Sequence, residues 1–398
     1  MRVHRLLAEA SAEVLREVFS QGRVLDRVVA QAFRRNPRWG KRDRHFVADT
    51  VWDVARWRRG LEFVSDSDEV GAWLTALWRR KGFEIPVWWD WMGASLVEME
   101  QREAELVRQP RAVRESIPNW LDARAAEELG DGWDEVLTSL NRRAPVFVRA
   151  NTLMVSRDEL LASLQADGVE ATAVEELRDG ICLSGLLSKK WSQDGRLEIQ
   201  DGGSQCIAPM LRVEPGMKVV DACAGAGGKT LHLAALMKGK GELLALDVDG
   251  RKLRQLEERA KRAGLKNLRV AKWSSSTLRE FAGWADRLLI DAPCSGLGTL
   301  RRQPDLKWRL DEAALAKVTR TQRKLLDHYP ALLRQGGEFV YATCSVLPSE
   351  NEKQVENFEN RDTCWKLDEE LHVSPAKTNF DGFYLARCVP KIGSFSSV

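Results

Sequence analysis

At 398 residues, with 44% apolar and 30% charged residues, the chain has the length of two or three domains and ample material for globular cores. Seven cysteines, an odd number without a C-x-x-C pair, argue against a disulfide framework or a zinc site; they fit a reducing cytoplasm, and no metal is expected. No run of eighteen apolar residues occurs, so no membrane span is expected, and the net charge of +3 is mild.

The first predicted elements are helices. "LLAEASAEVLREVF" and "DRHFVADTVWDVARW" place apolar residues at helical spacing, the second at Phe46, Val47, Val51, Val54 and Ala55. Glu9 and Glu13 interrupt the N-terminal apolar residues, which marks an amphipathic helix and not a signal peptide. Residues 1–60 carry fourteen Arg or Lys against seven Asp or Glu. That excess suits either a polyanion-binding face or a solvated helical surface. Fifteen tryptophans are many for this length, and the cluster at Trp73, Trp78, Trp88, Trp89 and Trp91 is expected to be mostly core. Residues 1–110 thus form an all-α domain.

Residues 111–200 begin with a connecting helix near Pro118 and a break at "GDGW". A strand at 146–150, a helix at 157–167 and a strand at 170–174 then predict a small α+β domain closing near Gln200. From Lys218 the pattern alternates: "KVVDAC", "KTLHLAALM", "ELLALDV", "RKLRQLEERAKRAG", "NLRVAKW", "DRLLIDAP", a long helix, then "EFVYATCS", with "GFYLARCVP" as the last strand. Strands separated by helices predict βαβ units and an α/β domain over 201–398.

In such a sheet ligands bind at the carboxyl ends of the strands. "KVVDACAGAGGKTLHLAALM" reads as strand, glycine-rich turn and helix, so the backbone of Cys223, Ala224, Gly225, Ala226, Gly227 and Gly228 is a candidate cofactor cradle. A P-loop would need glycine at Cys223, and the G-x-G-x-x-G spacing is absent. About twenty residues on, Asp247 ends the next strand, where a carboxylate accepts from both ribose hydroxyls of an adenosine cofactor. Two further strands end near cysteines, Cys294 in "DAPCSGLG" and Cys344 in "YATCS".

With "DACAGAGGKT", "DAPCSGLGTLRRQPDLKW", "YATCSVLPSENE" and "DGFYLAR" in order, the chain resembles the RsmB/Nop2/Sun family of RNA cytosine carbon-5 methyltransferases. "RANT" and "QDGGSQ" extend the likeness upstream, so it covers residues 149–387. The helical start, with "RDRHFVADTVW", is similar to the NusB-like RNA-binding domain of the bacterial members that act on 16S ribosomal RNA. The resemblance implies a Rossmann-like domain, S-adenosylmethionine as cofactor, and an RNA partner. Nothing in the sequence demands more than a monomer.

Carbon 5 of cytosine is too weak a nucleophile to take a methyl group from a sulfonium, and adding a thiolate at carbon 6 makes the ring enamine-like. A second group then speeds removal of the carbon 5 proton and release of the thiolate. The Pro-Cys of "DAPCSG" alone suggests the attacking thiol, as in DNA cytosine methyltransferases. The family resemblance implies the reverse, with Cys344 as nucleophile and Cys294 as the group that helps release the product. It also places Asp291 and Lys229 in the active site, where Asp291 could donate to ring nitrogen 3 and Lys229 could stabilise the developing charge. Arg301, Arg302 and Lys307 suit phosphates beside a flipped base, and Arg149 and Asn151 of "RANT" are expected to help order RNA or the cofactor loop. "PSENE" reads as a helix start with Ser349 as N-cap.

Three positions depart from the family pattern. Gly225-Ala226 replaces the usual Ala-Pro, Gly203 replaces a larger residue, and "VAKWSSST" lacks the acid that accepts from the adenine amino group. Ser274 could accept that bond and Trp273 could stack on adenine. These departures leave room for an inactive RNA-binding protein on the same fold, and tRNA could stand in place of ribosomal RNA as the substrate. A DNA cytosine methyltransferase is disfavoured by the helical N-terminal domain and by "TCS" following "PCSG".

Overall fold

The computed structural model of the chain describes residues 3–391 except 186, 189 and 192. Two compact units emerge: one contains the residues up to Arg142 together with Thr299–Glu312, the other Arg143–Gly298 and the residues from Ala313 onward.

The first unit is helical. Its longest helix, Lys41–Ser65, buries Val47, Val51, Val54, Leu61 and Val64, spaced three or four residues or a multiple of a turn apart, so they form one face. Helices Arg5–Gln21, Leu25–Arg35 and Val70–Arg80 pack their apolar faces into the same core, where Trp73 and Trp78 are buried. Trp88 is exposed and Trp89 and Trp91 are half-buried, so the tryptophan cluster is core only in part. Helix Leu96–Glu105 starts with a capping box: Ser95 Oγ accepts from Glu98 N, and Glu98 accepts from Ser95 N at 2.7 Å.

The expected boundary at 110 moves to Arg142. Arg59 Nη1 donates to Ile117 O at 2.9 Å and Gly60 N to Ser116 Oγ at 2.8 Å, which fastens the connecting helices to Lys41–Ser65. Thr299–Glu312 joins the same unit: Trp308 Nε1 donates to Ala55 O at 2.6 Å, and the Arg58 guanidinium lies over the rings of Phe19, Trp73 and Trp308.

The second unit holds two sheets. The smaller consists of β1 (Val146–Ala150), β2 (Ala171–Ala173), β3 (Gly180–Leu183) and β4 (Leu197–Ile199), in the order β2-β3-β1-β4 with antiparallel pairs. Helix Arg157–Ala166 covers it with Leu160 and Leu164. The larger sheet consists of β5 (Lys218–Asp221), β6 (Glu242–Asp247), β7 (Leu268–Lys272), β8 (Ala285–Asp291), β9 (Leu333–Thr343), β10 (Trp365–Val373) and β11 (Phe383–Pro390). Its order is β10-β11-β9-β8-β5-β6-β7, parallel from β7 to β9, with β11 and β10 added antiparallel. This is the expected Rossmann-like sheet.

The chain runs from β5 outward to β6 and β7, then returns to place β8 on the other side of β5. That reversal opens a crevice beyond the carboxyl ends of β5 and β8, where ligands of open α/β sheets bind. Strand β10, "WKLDEELHV", buries only its ends, Trp365 and Val373, and its exposed, charged middle suits a sheet edge. Among the described residues, no helix is long and apolar enough to cross a membrane.

Candidate active site

After β5 the chain turns through Gly225 (φ +55°) and Gly227 (φ +92°), in a backbone region that side chains adopt only with strain. Gly227 precedes helix Gly228–Leu236, and a Cβ there would run into the Leu256 side chain. Gly225 donates its N–H to Asp247 Oδ2 at 2.8 Å, while Asp247 Oδ1 accepts from Asp249 N at 2.7 Å. The acid at the end of β6 therefore closes the glycine loop as well as facing the crevice.

The crevice is a cavity of about 500 Å³. Its lining includes the glycine loop from Cys223 to Lys229, Asp247 and Val248 at the end of β6, Asp291 at the end of β8, and Cys294 and Cys344 in the loops after β8 and β9, with Leu325 and Tyr329 adding apolar surface. Lys229, in the first turn of its helix, places Nζ 2.7 Å from Asp291 Oδ2 at the end of β8. Burial pulls the Lys229 ammonium down, but the charge and hydrogen bond of Asp291 outweigh it and leave the group above its ordinary pKa, with Cys344 adding to the rise. Lys229 is thus held as a cation.

Cys294 Sγ and Cys344 Sγ are 3.3 Å apart. The bond to Cys344 pushes the Cys294 thiol well above the usual range, with burial, the Cys344 charge and that of Glu350 acting in the same direction. Cys223 is pushed well up by burial and then by Asp291, Asp221 and Asp247; it lines the cradle as an inert thiol. A polar layer that sequence reasoning missed lies behind the two cysteine loops. Glu350 Oε2 accepts from Ser295 N at 2.7 Å and Gln322 Nε2 at 3.0 Å, and Oε1 accepts from Ser295 Oγ and Ser345 Oγ, both at 2.5 Å. "PSENE" is therefore no simple helix start: Pro348–Glu350 is a 3-10 turn, the helix begins at Glu352, and Asn351, not Ser349, precedes it.

Several sequence candidates lie elsewhere. Ser274 caps helix Ser275–Glu280, accepting from Thr277 N at 3.1 Å, and is not among the cavity residues. Trp273 packs on Tyr329, with ring centroids 6.0 Å apart. Tyr329, Leu325 and Val248 supply the apolar wall instead, a role their spacing in sequence did not reveal. Arg149 is 1% exposed, with Nε donating to Gln200 Oε1 at 2.8 Å, and burial lowers its pKa to about 10. Asn151 donates to Gly195 O at 2.9 Å and Ala263 O at 3.1 Å, fastening the small sheet to helix Gly250–Arg262. Both side chains order the protein and are closed to an RNA phosphate.

The same correction applies in the helical unit. Lys307, 1% exposed, donates from Nζ to Arg56 O at 2.8 Å and Asn141 Oδ1 at 3.3 Å, and burial drives its pKa well down. Arg301 is 5% exposed. Arg302 stays half-buried, with its carbonyl accepting from Trp52 Nε1 at 2.9 Å. Among the described residues, no cluster of His, Cys, Asp or Glu is arranged to hold a metal.

The cavity fits S-adenosylmethionine. A Cβ on Gly225 would meet no atom within 4 Å and so would stand in open cradle space, Asp247 offers carboxylate acceptors, and Tyr329 and Leu325 give an apolar wall. A family model described as 16S rRNA methyltransferase RsmB/F matches residues 208–393, and a ferredoxin-like domain of the same family matches 117–188. A Shewanella oneidensis protein named ribosomal RNA small subunit methyltransferase B is 32% identical over 310 residues, covering 73% of this chain and 71% of that one.

The chain belongs to the RsmB/F family of RNA methyltransferases.

A family member of the same name from Pseudomonas syringae is 29% identical over 80% of this chain and 79% of its own length. Among solved structures, PH0851 matches with a TM-score of 0.79 at 23% identity, over 98% of this chain and 99% of that chain. A methyltransferase homolog from Pyrococcus horikoshii matches at 0.63 and 25% identity, over 71% and 98%. Like the rest of the RsmB/F family, the chain is an S-adenosylmethionine-dependent methyltransferase, and the glycine loop with Asp247 is where its own residues would hold that cofactor.

Proposed function

We propose that the chain methylates carbon 5 of a cytosine in small-subunit ribosomal RNA in the cytoplasm, through a covalent bond between Cys344 and carbon 6. The observation that carries this reading is the pair of sulfurs 3.3 Å apart in the cavity that also holds the glycine loop, Asp247 and the Lys229–Asp291 pair. The names of the bacterial relatives support the RNA class.

Cys344 attacks carbon 6 as a thiolate, and the electron pair moves toward nitrogen 3 and oxygen 2 of the ring. Lys229, held as a cation beside Cys344, stabilises that charge, and Asp291 orients the ammonium. S-adenosylmethionine, when bound, supplies the methyl group that carbon 5 receives. Release then requires loss of the carbon 5 proton as the carbon–sulfur bond breaks. Once Cys344 is bonded to carbon 6 it no longer holds the Cys294 proton, which is lost to solvent; Cys294 as thiolate then takes the carbon 5 proton and Cys344 leaves as thiolate, so one proton and one charge are exchanged within the pair. Exposed Arg27, Arg34, Arg38, Lys41 and Arg42 give the helical unit, read in the sequence as NusB-like, cations for RNA phosphates.

Substituting Cys344→Ala should abolish both turnover and the covalent RNA adduct. Cys294→Ala should slow turnover and let a gel-stable protein–RNA adduct accumulate. The opposite pattern of adducts would reverse the two roles. Bisulfite sequencing of ribosomal RNA and tRNA from cells with and without the gene identifies the substrate: a cytosine lost only from tRNA would overturn the ribosomal assignment.

A further inference from the structure

Glu350 has no solvent-exposed surface, yet its carboxylate accepts four hydrogen bonds of 2.5–3.0 Å. Three of the four donors belong to residues directly following a reactive cysteine: Ser295 after Cys294 contributes its N–H and hydroxyl, and Ser345 after Cys344 its hydroxyl. The fourth, Gln322, also donates to Pro293 O at 3.1 Å, on the residue preceding Cys294. A buried carboxylate persists only where donors compensate its lost hydration, and hydrogen bonds to a charged group are roughly twice as strong as neutral ones.

The segment carrying Glu350 is itself fixed. Tyr341 Oη donates to Glu350 O at 2.7 Å, Thr343 Oγ1 to Asn351 Oδ1 at 2.5 Å, and Asn351 Nδ2 to Ser345 O at 3.1 Å. Every one of these partners sits on β9 or on the loop that ends it. The loops after β8 and β9 have no covalent reason to keep their cysteines in contact, because fifty residues separate them.

We infer that Glu350 is a positioning residue, whose carboxylate clamps the two cysteine loops so that Cys344 and Cys294 face one base at a fixed separation. This rests on reading the two cysteines as a reacting pair. The clamp acts through Ser295 and Ser345 and touches no substrate. Its charge also adds to the proton affinity of Cys294, after the larger effects of Cys344 and burial.

Glu350→Gln keeps the shape and removes the charge and one acceptor oxygen. In the full-length protein it should leave KM for RNA and the Kd for S-adenosylhomocysteine within about twofold, while kcat falls on the order of a hundredfold, the size expected for misplaced reacting groups. Phenylarsine oxide, which condenses with two adjacent thiols and releases water, reads the geometry without any methyl transfer. Its capture of the Cys294–Cys344 pair, scored against Cys294→Ser, should slow about tenfold in the variant, in line with the loss of preorganisation. Unchanged capture and unchanged kcat in a variant with wild-type melting would overturn the clamp. If Glu350→Gln melts early, the paired variant Ser295→Ala/Ser345→Ala takes its place, and wild-type capture there would equally sink it. Because arsenical capture is independent of turnover, the clamp can fail while the roles of the cysteines stand, and the reverse.

Discussion

Asp221, the last residue of β5, is buried; its Oδ2 accepts from Thr230 Oγ1 at 2.7 Å, and no described side chain or backbone group partners Oδ1. Burial raises its pKa to about 7, with Asp291 adding to the rise and Thr230 and Lys229 opposing it. A carboxyl whose folded pKa lies above its unfolded value favours the fold at low pH. That contribution is complete below pH 4 and is lost as pH climbs toward 7. Asp221→Asn removes the dependence, so its melting temperature relative to wild type should rise from pH 4 to pH 7 and level off above. Thermal scans across that range check the sign, and a difference that shrinks with pH would contradict it. Lys229 follows another logic: in the proposed mechanism its cation stabilises the charge that develops during attack. Lys229→Met should reduce kcat by about two to three orders of magnitude, as loss of a preorganised charge-stabilising group does, with single-turnover kinetics as the measurement.

At the scale of elements, the glycine turn between β5 and its helix couples backbone conformation to packing. Gly227→Ala meets two obstacles at once: φ +92°, which costs of order 1–3 kcal/mol for a residue with a side chain, and the Leu256 side chain, which occupies the place of the new Cβ. The loop must shift, and Gly225, whose N–H holds Asp247, shifts with it. The Kd for S-adenosylhomocysteine should rise at least about tenfold, equivalent to roughly 1.4 kcal/mol, by isothermal titration. Gly225→Ala lacks the steric conflict and should weaken binding less. The element-level pattern was legible in the sequence here, because a turn that needs two left-handed residues needs glycine. The edge strand β10 was not read in the sequence: its two buried ends, Trp365 and Val373, are separated by the exposed and mostly charged stretch 368–372.

For the whole molecule, the decisive feature is that Thr299–Glu312, which follows the Cys294 loop, folds with the helical unit. Lys307 buries its amino group there against Arg56 O and Asn141 Oδ1. If it were a phosphate contact, its loss would lower the salt dependence of RNA binding by about one ion. Lys307→Ala should instead leave that slope unchanged and lower stability by about 2–4 kcal/mol, because it removes a buried hydrogen-bonding group and opens a cavity. Denaturant unfolding and RNA binding at several salt concentrations separate the two. The same burial argument moves Arg149 and Asn151 from RNA contacts to structural anchors.

The sequence by itself determined the class of fold and most of the residues that line the cavity. Glycines at Gly225, Gly227 and Gly228, an acid ending β6, and cysteines closing β8 and β9 are local chemical requirements, and local requirements leave local patterns. It also determined that the N-terminal third is helical, through periodicity. Only the tertiary structure decided which cations are open to solvent, since Arg149, Arg301 and Lys307 are spelled like surface residues and burial depends on segments far away in the chain. Only the fold brought Glu350 between Ser295 and Ser345, and set the sulfurs of Cys294 and Cys344 3.3 Å apart. A contact across fifty residues is made by the register of parallel strands, and no spacing within either motif encodes it.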